Sequence, residues 1–217
     1  MALREGLRVD VLELLERHPG AWRGASRHPL LDAVREGTLA TGAFETWLAQ
    51  DHLFVADLLV FQSRLLARAP RSDQAVLAGG LVAVEAELGW FEEKAGECGI
   101  KLETPRHPTT AAYRDFLIAL EHESYAAGIT ALWALERAYL EAWRSAAPGH
   151  PDYREFVGHW TTPEFADYVA GLEKAANSAL DSGSEAERAE AAFLEVAQLE
   201  RDFWEMAFSA SRTGGNG

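Results

Sequence analysis

Three carboxylates lie on helical faces that are otherwise apolar or aromatic: Asp51 in WLAQDHLFV, Glu136 in ITALWALERAYLEAW and Glu200 in FLEVAQLERDFWEMAF. Apolar residues recur at helical spacing from Phe193 to Ala207, and Glu200 fills the missing step, so its side chain points inward. The same spacing turns Asp51 and Glu136 inward. Because an unpaired buried carboxylate is costly unless it is protonated or partnered, the three together predict a polar pocket inside an apolar shell.

Such a pocket suits an aminopyrimidine-like ligand. A carboxylate accepts hydrogen bonds from an exocyclic amine and from a protonated ring nitrogen, while aromatic faces stack on the ring. The aromatic candidates for this stacking are Phe54, Tyr113, Trp133, Tyr139 and Trp160. Tyr113 and Tyr125 are stronger candidates than the phenylalanines, because a buried hydroxyl needs a partner and can orient a carboxylate or a water.

A structural role is the alternative for each of the three carboxylates. A buried ion pair or a helix cap accounts for many single buried acids. The arginines that can supply such a pair are Arg64, Arg114 and Arg137. Three inward carboxylates in one chain favour a binding site over three separate ion pairs.

Metal and cysteine chemistry find little support in the sequence. His52 follows Asp51 and His122 lies between two glutamates, but adjacent helical residues diverge by about 100°, so neither pair forms a cluster. No Glu-x-x-His pair repeats with inward phasing, as a di-iron bundle requires. Cys98 lies in the glycine-flanked stretch GECGI, where we predict a surface turn and no catalytic role. We therefore expect neither a metal nor another cofactor.

Helical periodicity runs through the whole chain, and strand-like alternation is lacking, so the sequence predicts an all-α protein. We expect a first helix over about 7–16 and a long helix over 41–69 that bends or breaks once, with a break placed near Ala56-Asp57. A short helix is expected to follow His28-Pro29 and to stop near Gly37, with His28 ending the preceding loop by hydrogen bonding.

Two further helix starts can be read from capping signals. Thr162-Pro163 provides a capping residue with proline in the first turn. Ser184 and Glu187 form a capping-box pattern for the last helix.

Length and charge restrict the classes of protein. The 217 residues fit one helical domain over 1–209 with a disordered tail over 210–217. The formal charge of −14 argues against nucleic acid and anionic membranes as partners, which leaves a small molecule. With a single cysteine and no apolar signal core or membrane span, we expect a cytoplasmic protein.

Five segments, read in order, closely resemble the TenA family of thiamin salvage proteins. They are HPLLDAVREGTLATGAFETWLAQDHLFV, GGLVAVEAELGWF, ITALWALERAYLEAW, HWTTPEFADYV and LERDFWEMA, and the resemblance spans about Arg27 to Phe208. More narrowly, the segments resemble the branch of the family that lacks the family's nucleophilic cysteine. The resemblance implies a haem-oxygenase-like helical bundle without haem, a pocket for 4-amino-2-methylpyrimidine compounds, and a homodimer or homotetramer.

The resemblance also implies roles for individual residues. The aspartate and glutamate that anchor the pyrimidine in the family match Asp51 and Glu200, and the family tyrosine matches Tyr113. At the position of the nucleophilic cysteine this chain has Ala131. The cysteine-free branch is expected to use a glutamate instead, for which Glu136 is the candidate.

Three further positions complete the implied site. Glu87 is the reserve candidate for the catalytic glutamate. Trp160 and Phe54 each stand where the other branch has a tyrosine, and we expect them to shape the slot for the ring together with Tyr113.

The sequence thus predicts a hydrolase that converts aminomethyl or formylaminomethyl 2-methylpyrimidine to the reusable hydroxymethyl pyrimidine. Asp51 and Glu200 would anchor the ring, and Glu136 would act as general base or proton donor. Two alternatives remain at this stage: a non-catalytic pyrimidine-binding or regulatory homologue, and a cofactorless or di-iron oxidase on the same bundle.

Overall fold

The computed structural model describes residues 10–180 and 185–213. Within these ranges the chain forms helices and no strand, which confirms the all-α prediction. The helices are α1 Leu12–Arg17, α2 Pro19–Ser26, α3 Pro29–Glu36, α4 Thr41–Arg68, α5 Gln74–Cys98, α6 Pro108–Ala119, α7 Tyr125–Ala146, α8 Arg154–His159, α9 Pro163–Leu180 and α10 Ala186–Thr213. Short 3-10 turns at Leu120–His122 and Pro151–Tyr153 precede α7 and α8.

Helix α7 lies at the centre of the bundle. Its sequence is apolar on nearly all sides, as expected for a helix without a solvent face, and it packs against α2, α3, α9 and α10. Helix α4 packs against α5, α6 and α10. Since α4, α7 and α10 carry Asp51, Glu136 and Glu200, three central helices bring the three inward carboxylates into one core.

Helix α4 is continuous, so the break predicted near Ala56-Asp57 is wrong. Asp57 is partnered from outside the helix, because Arg106 donates to both of its carboxylate oxygens. The first helix begins at Leu12, later than expected, and the Asp10 carboxylate accepts a hydrogen bond from its first backbone N–H.

The predicted starts of α3 and α9 are confirmed. His28 Nδ1 accepts from the backbone N–H of Leu30 at 3.2 Å, and Thr162 Oγ1 accepts from that of Phe165 at 3.1 Å. The predicted capping box cannot be assessed, since Ser184 lies outside the described residues.

The last helix extends past the expected end of the domain. Helix α10 continues to Thr213, whereas the tail was expected from 210, and residues 214–217 lie outside the described residues. None of the described helices is both long and apolar enough to cross a membrane.

An aromatic layer joins α4, α7, α8 and α10. Trp143 stacks on Trp160 with ring centroids 4.9 Å apart, and Tyr139 stacks on Trp204 at 5.5 Å. Trp47 meets Trp160 edge-on at 5.7 Å. These rings fill the space around the carboxylates and exclude water from it, which strengthens every electrostatic interaction there.

Candidate active site

A cavity of about 730 Å³ lies between α5 and α9, with α7 at its inner wall. Three carboxylates line it, Glu87, Glu136 and Glu164, together with Trp160 and Tyr168. The remaining lining residues are Ala75, Val76, Gly79, Gly80, Ala83, Val84, Ala86, Trp90, His159, Thr162 and Phe165. The wall contains no lysine or arginine, so the cavity suits a neutral or cationic ligand better than an anion.

Glu136 is the carboxylate on the inner wall. Its side chain is buried, with 6% of the residue exposed, and it lines the cavity from the middle of α7. Burial raises the pKa of Glu136 well above its ordinary value, and the charges of Glu87 and Glu200 raise the pKa further. No hydrogen bond offsets these effects. Glu136 is therefore a carboxyl group that can hold a proton near neutral pH and face a ligand.

Glu87 faces the same cavity from α5. The Trp160 indole N–H donates a hydrogen bond to Glu87 Oε1. Burial raises the pKa of Glu87 to about 7, although this hydrogen bond lowers it. A carboxyl group with this pKa exchanges protons readily at neutral pH.

Asp51 lies deeper in the bundle. The Tyr139 hydroxyl donates a hydrogen bond to Asp51 Oδ2, and Asp51 is 2% exposed. Burial raises the pKa of Asp51 well above its ordinary value, against the lowering effect of the Tyr139 hydrogen bond, and the charges of Glu87 and Glu200 add to the increase. The charge of the cavity residue Glu87 therefore acts on Asp51.

Glu200 completes the group from α10. The Tyr113 hydroxyl donates to Glu200 Oε1 at 2.6 Å, and Glu200 is 3% exposed. Burial raises the pKa of Glu200 to about 8, although the Tyr113 hydrogen bond lowers it. The Phe54 ring packs on the Tyr113 ring with centroids 4.5 Å apart, which fixes the phenol against the carboxyl group.

The ion-pair explanation for the three inward carboxylates is wrong. The arginines pair elsewhere: Arg64 with Glu121, Arg114 with Asp115, and Arg137 with Glu141 and Glu173. Tyrosine hydroxyls partner Asp51 and Glu200 instead. Because no cation favours the ionised form of these three carboxyl groups, burial is the dominant effect on their pKa values. The acids therefore become weak enough to take part in proton transfer.

The structure separates the expected site residues into three groups. Glu87, Glu136 and Trp160 line the cavity. A second group does not line the cavity: Asp51, Phe54, Tyr113, Tyr139 and Glu200. The charges of Glu87 and Glu200 nevertheless raise the pKa of Asp51, and Phe54 packs on Tyr113. Trp133 lies elsewhere in the core and stacks on Phe193 at 6.3 Å. Tyr125 is also remote, since its hydroxyl donates to Asp73 at 2.9 Å.

Sequence reasoning missed most residues of the cavity wall, among them Tyr168 and His159. Tyr168 lies three residues after Phe165, the helical spacing that puts both on one face of α9, and this was the available signal. His159 stacks on Trp90 with centroids 3.9 Å apart, and burial lowers the pKa of His159 to about 4. His159 is therefore neutral near pH 7 and adds no positive charge to the cavity.

Metal ligands are not assembled at this site. Across residues 10–180 and 185–213, no three histidine, cysteine, aspartate or glutamate side chains are arranged to hold a metal ion. Cys98 is exposed at the end of α5 and does not line the cavity. The expectation of a metal-free and cofactor-free protein stays a prediction.

The raised carboxyl pKa values predict that stability falls as pH rises from 6.5 to 8. The folded protein keeps the Glu200 proton up to a pKa of about 8, whereas the unfolded chain releases it near 4.5, so the stabilisation is lost through this window. For Glu200 alone the loss is about 1.5 kcal/mol. The lowered pKa of His159 makes stability rise with pH instead of fall, but only below about pH 6.5.

Thermal unfolding at pH 6.5 and pH 8, at equal ionic strength, measures this effect. We expect the wild-type Tm to be lower at pH 8, and Glu200→Gln to reduce the difference between the two pH values. Glu93→Gln, at an exposed position on α5, is the control and should keep the wild-type difference. A wild-type Tm that rises between the two pH values would contradict the assignment.

The all-helical bundle and its buried carboxyl groups define the class of the protein, a haem-oxygenase-like fold with an acid-lined internal cavity. The model of the TENA/THI-4/PQQC family matches residues 15–210. The chain therefore belongs to this family, as the sequence motifs implied.

Individual relatives agree with the family assignment. A probable bifunctional TENA-E protein from Glycine max is 33% identical over 207 residues, covering 89% of this chain and 90% of the relative. The aminopyrimidine aminohydrolase of Halalkalibacterium halodurans is 24% identical over 224 residues, covering 94% and 97%. The crystal structure of a TenA homologue from Pyrococcus furiosus superposes with a TM-score of 0.88 at 33% identity, covering 92% and 100%.

Proposed function

We propose that this protein is a cysteine-independent C–N hydrolase of thiamin salvage. Its substrates are 4-amino-5-aminomethyl-2-methylpyrimidine and the N-formyl derivative of that amine, and its final product is the 5-hydroxymethyl pyrimidine. The name of the Halalkalibacterium relative, an aminopyrimidine aminohydrolase, supports this class of reaction. In this reaction carboxyl groups take the place of a thiol.

The convergence of four carboxyl groups without a cation carries the proposal. The charges of Glu87 and Glu200 raise the pKa of both Asp51 and Glu136, and no arginine or lysine lines the cavity. An aminopyrimidine brings hydrogen-bond donors on its amine and on a protonated ring nitrogen, which such a group of acceptors satisfies. A phosphate or carboxylate ligand would find no counter-charge there.

Asp51 and Glu200 are proposed to anchor the pyrimidine. Each accepts one hydrogen bond from a tyrosine, so its orientation is fixed before a ligand binds. The second oxygen of each carboxyl group is left to the substrate. Trp160, held by its hydrogen bond to Glu87, supplies an aromatic wall beside the ring.

Glu136 and Glu87 are proposed to move the protons. One carboxyl group protonates the departing nitrogen as the C–N bond breaks, and a neighbouring carboxylate takes a proton from the attacking water as the C–O bond forms. Glu136 is the better base, because no hydrogen bond within the described residues stabilises its ionised form. Glu87 is partly occupied by the Trp160 indole.

Incubation of purified protein with both pyrimidines tests the proposal. We expect the hydroxymethyl pyrimidine and ammonia as products, with formate in addition from the N-formyl compound. The rate should be unchanged by a metal chelator or by Cys98→Ser, since Cys98 does not line the cavity. Tight binding of both compounds without turnover would instead support a binding protein. Activity that is lost on chelation would support the oxidase alternative or another metal-dependent reaction.

A further inference from the structure

The indole ring of Trp160 is held in place by other aromatic rings. Trp143 stacks on it with ring centroids 4.9 Å apart and planes 22° apart. Trp90 and Tyr139 meet it edge-on, at 5.2 and 5.3 Å, each with its plane at 88° to the Trp160 plane. Trp160 is 3% exposed. Because protein interiors are close-packed, the indole cannot turn without displacing one of these rings, so packing alone fixes the direction of its N–H.

That N–H is directed at an acid of the cavity. It donates a hydrogen bond to Glu87 Oε1, and no other described side chain donates to Glu87. Two other tryptophans of the aromatic layer differ, because Nε1 of Trp47 and of Trp143 has no hydrogen-bond partner among the described residues. Holding one oxygen restricts the rotamers of a long glutamate side chain. Trp160 therefore orients Glu87 from outside helix α5.

Among the described residues, no cation shares Glu87 with Trp160. His52 of α4 and Lys94 of α5 are directed at other acids, at 3.7 and 2.7 Å. The indole N–H is thus the described group that favours the ionised form of Glu87. The titratable groups that interact electrostatically with Glu87 or line the cavity beside it are acids, phenols and an imidazole that is neutral near pH 7: Asp51 on α4, Glu136 and Tyr139 on α7, His159 at the end of α8, and Glu164 and Tyr168 on α9.

We propose that Trp160 is a positioning residue, whose indole N–H holds Glu87 in the orientation from which this carboxyl group protonates the departing nitrogen. The inference rests on the proposed function and deepens it, because it assigns the acid to Glu87, leaves the base to Glu136 and adds a residue that acts through the acid. Trp160 then has two roles at one site: its ring forms part of the cavity wall, and its N–H orients the acid.

The reaction on the aminomethyl pyrimidine balances with water alone. The oxygen of water bonds to the methylene carbon and one water proton goes to Glu136, while the C–N electron pair moves to nitrogen, which takes the Glu87 proton and leaves as ammonia. Return of a proton from Glu136 to Glu87 restores both groups. Because the rate depends on placing the reacting groups within about 1 Å, an acid that serves a single nitrogen gains from a fixed orientation.

The hydrogen bond to Trp160 also affects the pH range of activity. Burial raises the pKa of Glu87 to about 7, and the indole N–H limits this rise because it favours the carboxylate. A proton donor must be protonated, so activity is lost as pH rises through this pKa. Removal of the N–H raises the pKa of Glu87 further, and activity then extends to higher pH.

Trp160→Phe tests the inference, because it keeps an aromatic ring in the layer and removes the N–H. We expect kcat for the aminomethyl pyrimidine to fall about 5-fold at pH 7. The alkaline limb of kcat/KM should move up by about one pH unit, the equivalent of one hydrogen bond to a charged group. Binding of the hydroxymethyl product should change less than about 2-fold, since the wall keeps a ring.

Trp22→Phe is the matched control for this variant. The Trp22 indole N–H also donates to a glutamate, Glu141 at 2.9 Å, but neither residue lines the cavity. Loss of this hydrogen bond should leave both the rate and the pH profile unchanged.

A double variant separates positioning from direct contact with the substrate. In a Glu87→Gln background, Trp160→Phe has no acid to orient, so we expect less than about a 2-fold further loss. A further loss of about 5-fold would show that Trp160 acts on the substrate itself and would overturn the inference. An alkaline limb that stays in place in Trp160→Phe would overturn it as well.

Failure of this inference is distinguishable from failure of the proposed function. Wild-type protein that does not hydrolyse the aminomethyl pyrimidine overturns both, whereas an active wild type with an unmoved limb in Trp160→Phe overturns the inference alone. If Trp160→Phe does not fold, Glu87→Asp withdraws the carboxyl group from the indole by one methylene and should give the same upward shift of the limb. An unmoved limb in that variant overturns the inference.

Discussion

Glu136→Gln is expected to lower kcat/KM about 1,000-fold for both pyrimidine substrates, the largest effect of any single change in this protein. Glutamine keeps the size of the side chain and its hydrogen-bonding carbonyl, but it neither takes a proton from water nor gives one to the departing nitrogen. Glu136 lines the cavity from α7 and is buried, so a nearby solvent-exposed acid has no route to replace it. Steady-state kinetics on both substrates measure the loss.

Two glutamine variants serve as controls for this prediction. Glu87→Gln changes a second cavity carboxylate and keeps a carbonyl that accepts the Trp160 hydrogen bond, and we expect a loss of about 10-fold. Glu93→Gln changes an exposed acid on the same helix and should behave as wild type. Full activity in Glu136→Gln combined with a large loss in Glu87→Gln would exchange the roles of the two glutamates.

Asp51→Asn is expected to weaken binding of the hydroxymethyl pyrimidine about 100-fold, which corresponds to a hydrogen bond to a charged group in a buried site. The substitution replaces one acceptor oxygen with an NH₂ donor, which faces the donors of the pyrimidine. The buried position leaves no water to relieve this mismatch, since Asp51 is 2% exposed. Calorimetric titration of the pyrimidine product into each variant measures the change in Kd.

Tyr139, whose hydroxyl donates to Asp51, provides a control with a smaller expected effect. Tyr139→Phe removes the hydroxyl that donates to Asp51 and keeps the ring that stacks on Trp204, so we expect a loss in affinity of about 10-fold, smaller than for Asp51→Asn. An affinity for the product that is unaffected by Asp51→Asn would remove Asp51 from the proposed anchor and leave Glu200 as the candidate.

Helix positions and the burial of the three acids could be predicted from local sequence. Periodicity decides which residues of one helix share a face, and that face is set by the 3.6-residue repeat whatever the helix packs against. The inward orientation of Asp51, Glu136 and Glu200 is accordingly confirmed by their burial. Capping at His28 and Thr162 is equally local, since the partner lies two or three residues away.

The partners of these acids were not predictable in the same way. Arginines and tyrosines were both available in the sequence, and only the packing of α4, α6, α7 and α10 selects Tyr139 and Tyr113 over the arginines. Trp133 and Tyr168 are both aromatic residues at helical spacing, yet only Tyr168 lines the cavity. Whether each residue lines the cavity depends on which helix packs opposite it. The periodicity of a single helix does not reveal that packing partner.

The sequence by itself determined the helical class, the family and the inward direction of three carboxyl groups, because each of these follows from residue types at short spacings. Only the tertiary structure decided how the acids divide between the cavity wall and its interior. It also decided that Gln62 and Tyr168 approach Gly80 closely and that Tyr168 lines the same cavity as Glu136. These contacts join residues on α4, α5, α7 and α9, and their distances depend on the crossing of helices that are far apart in sequence.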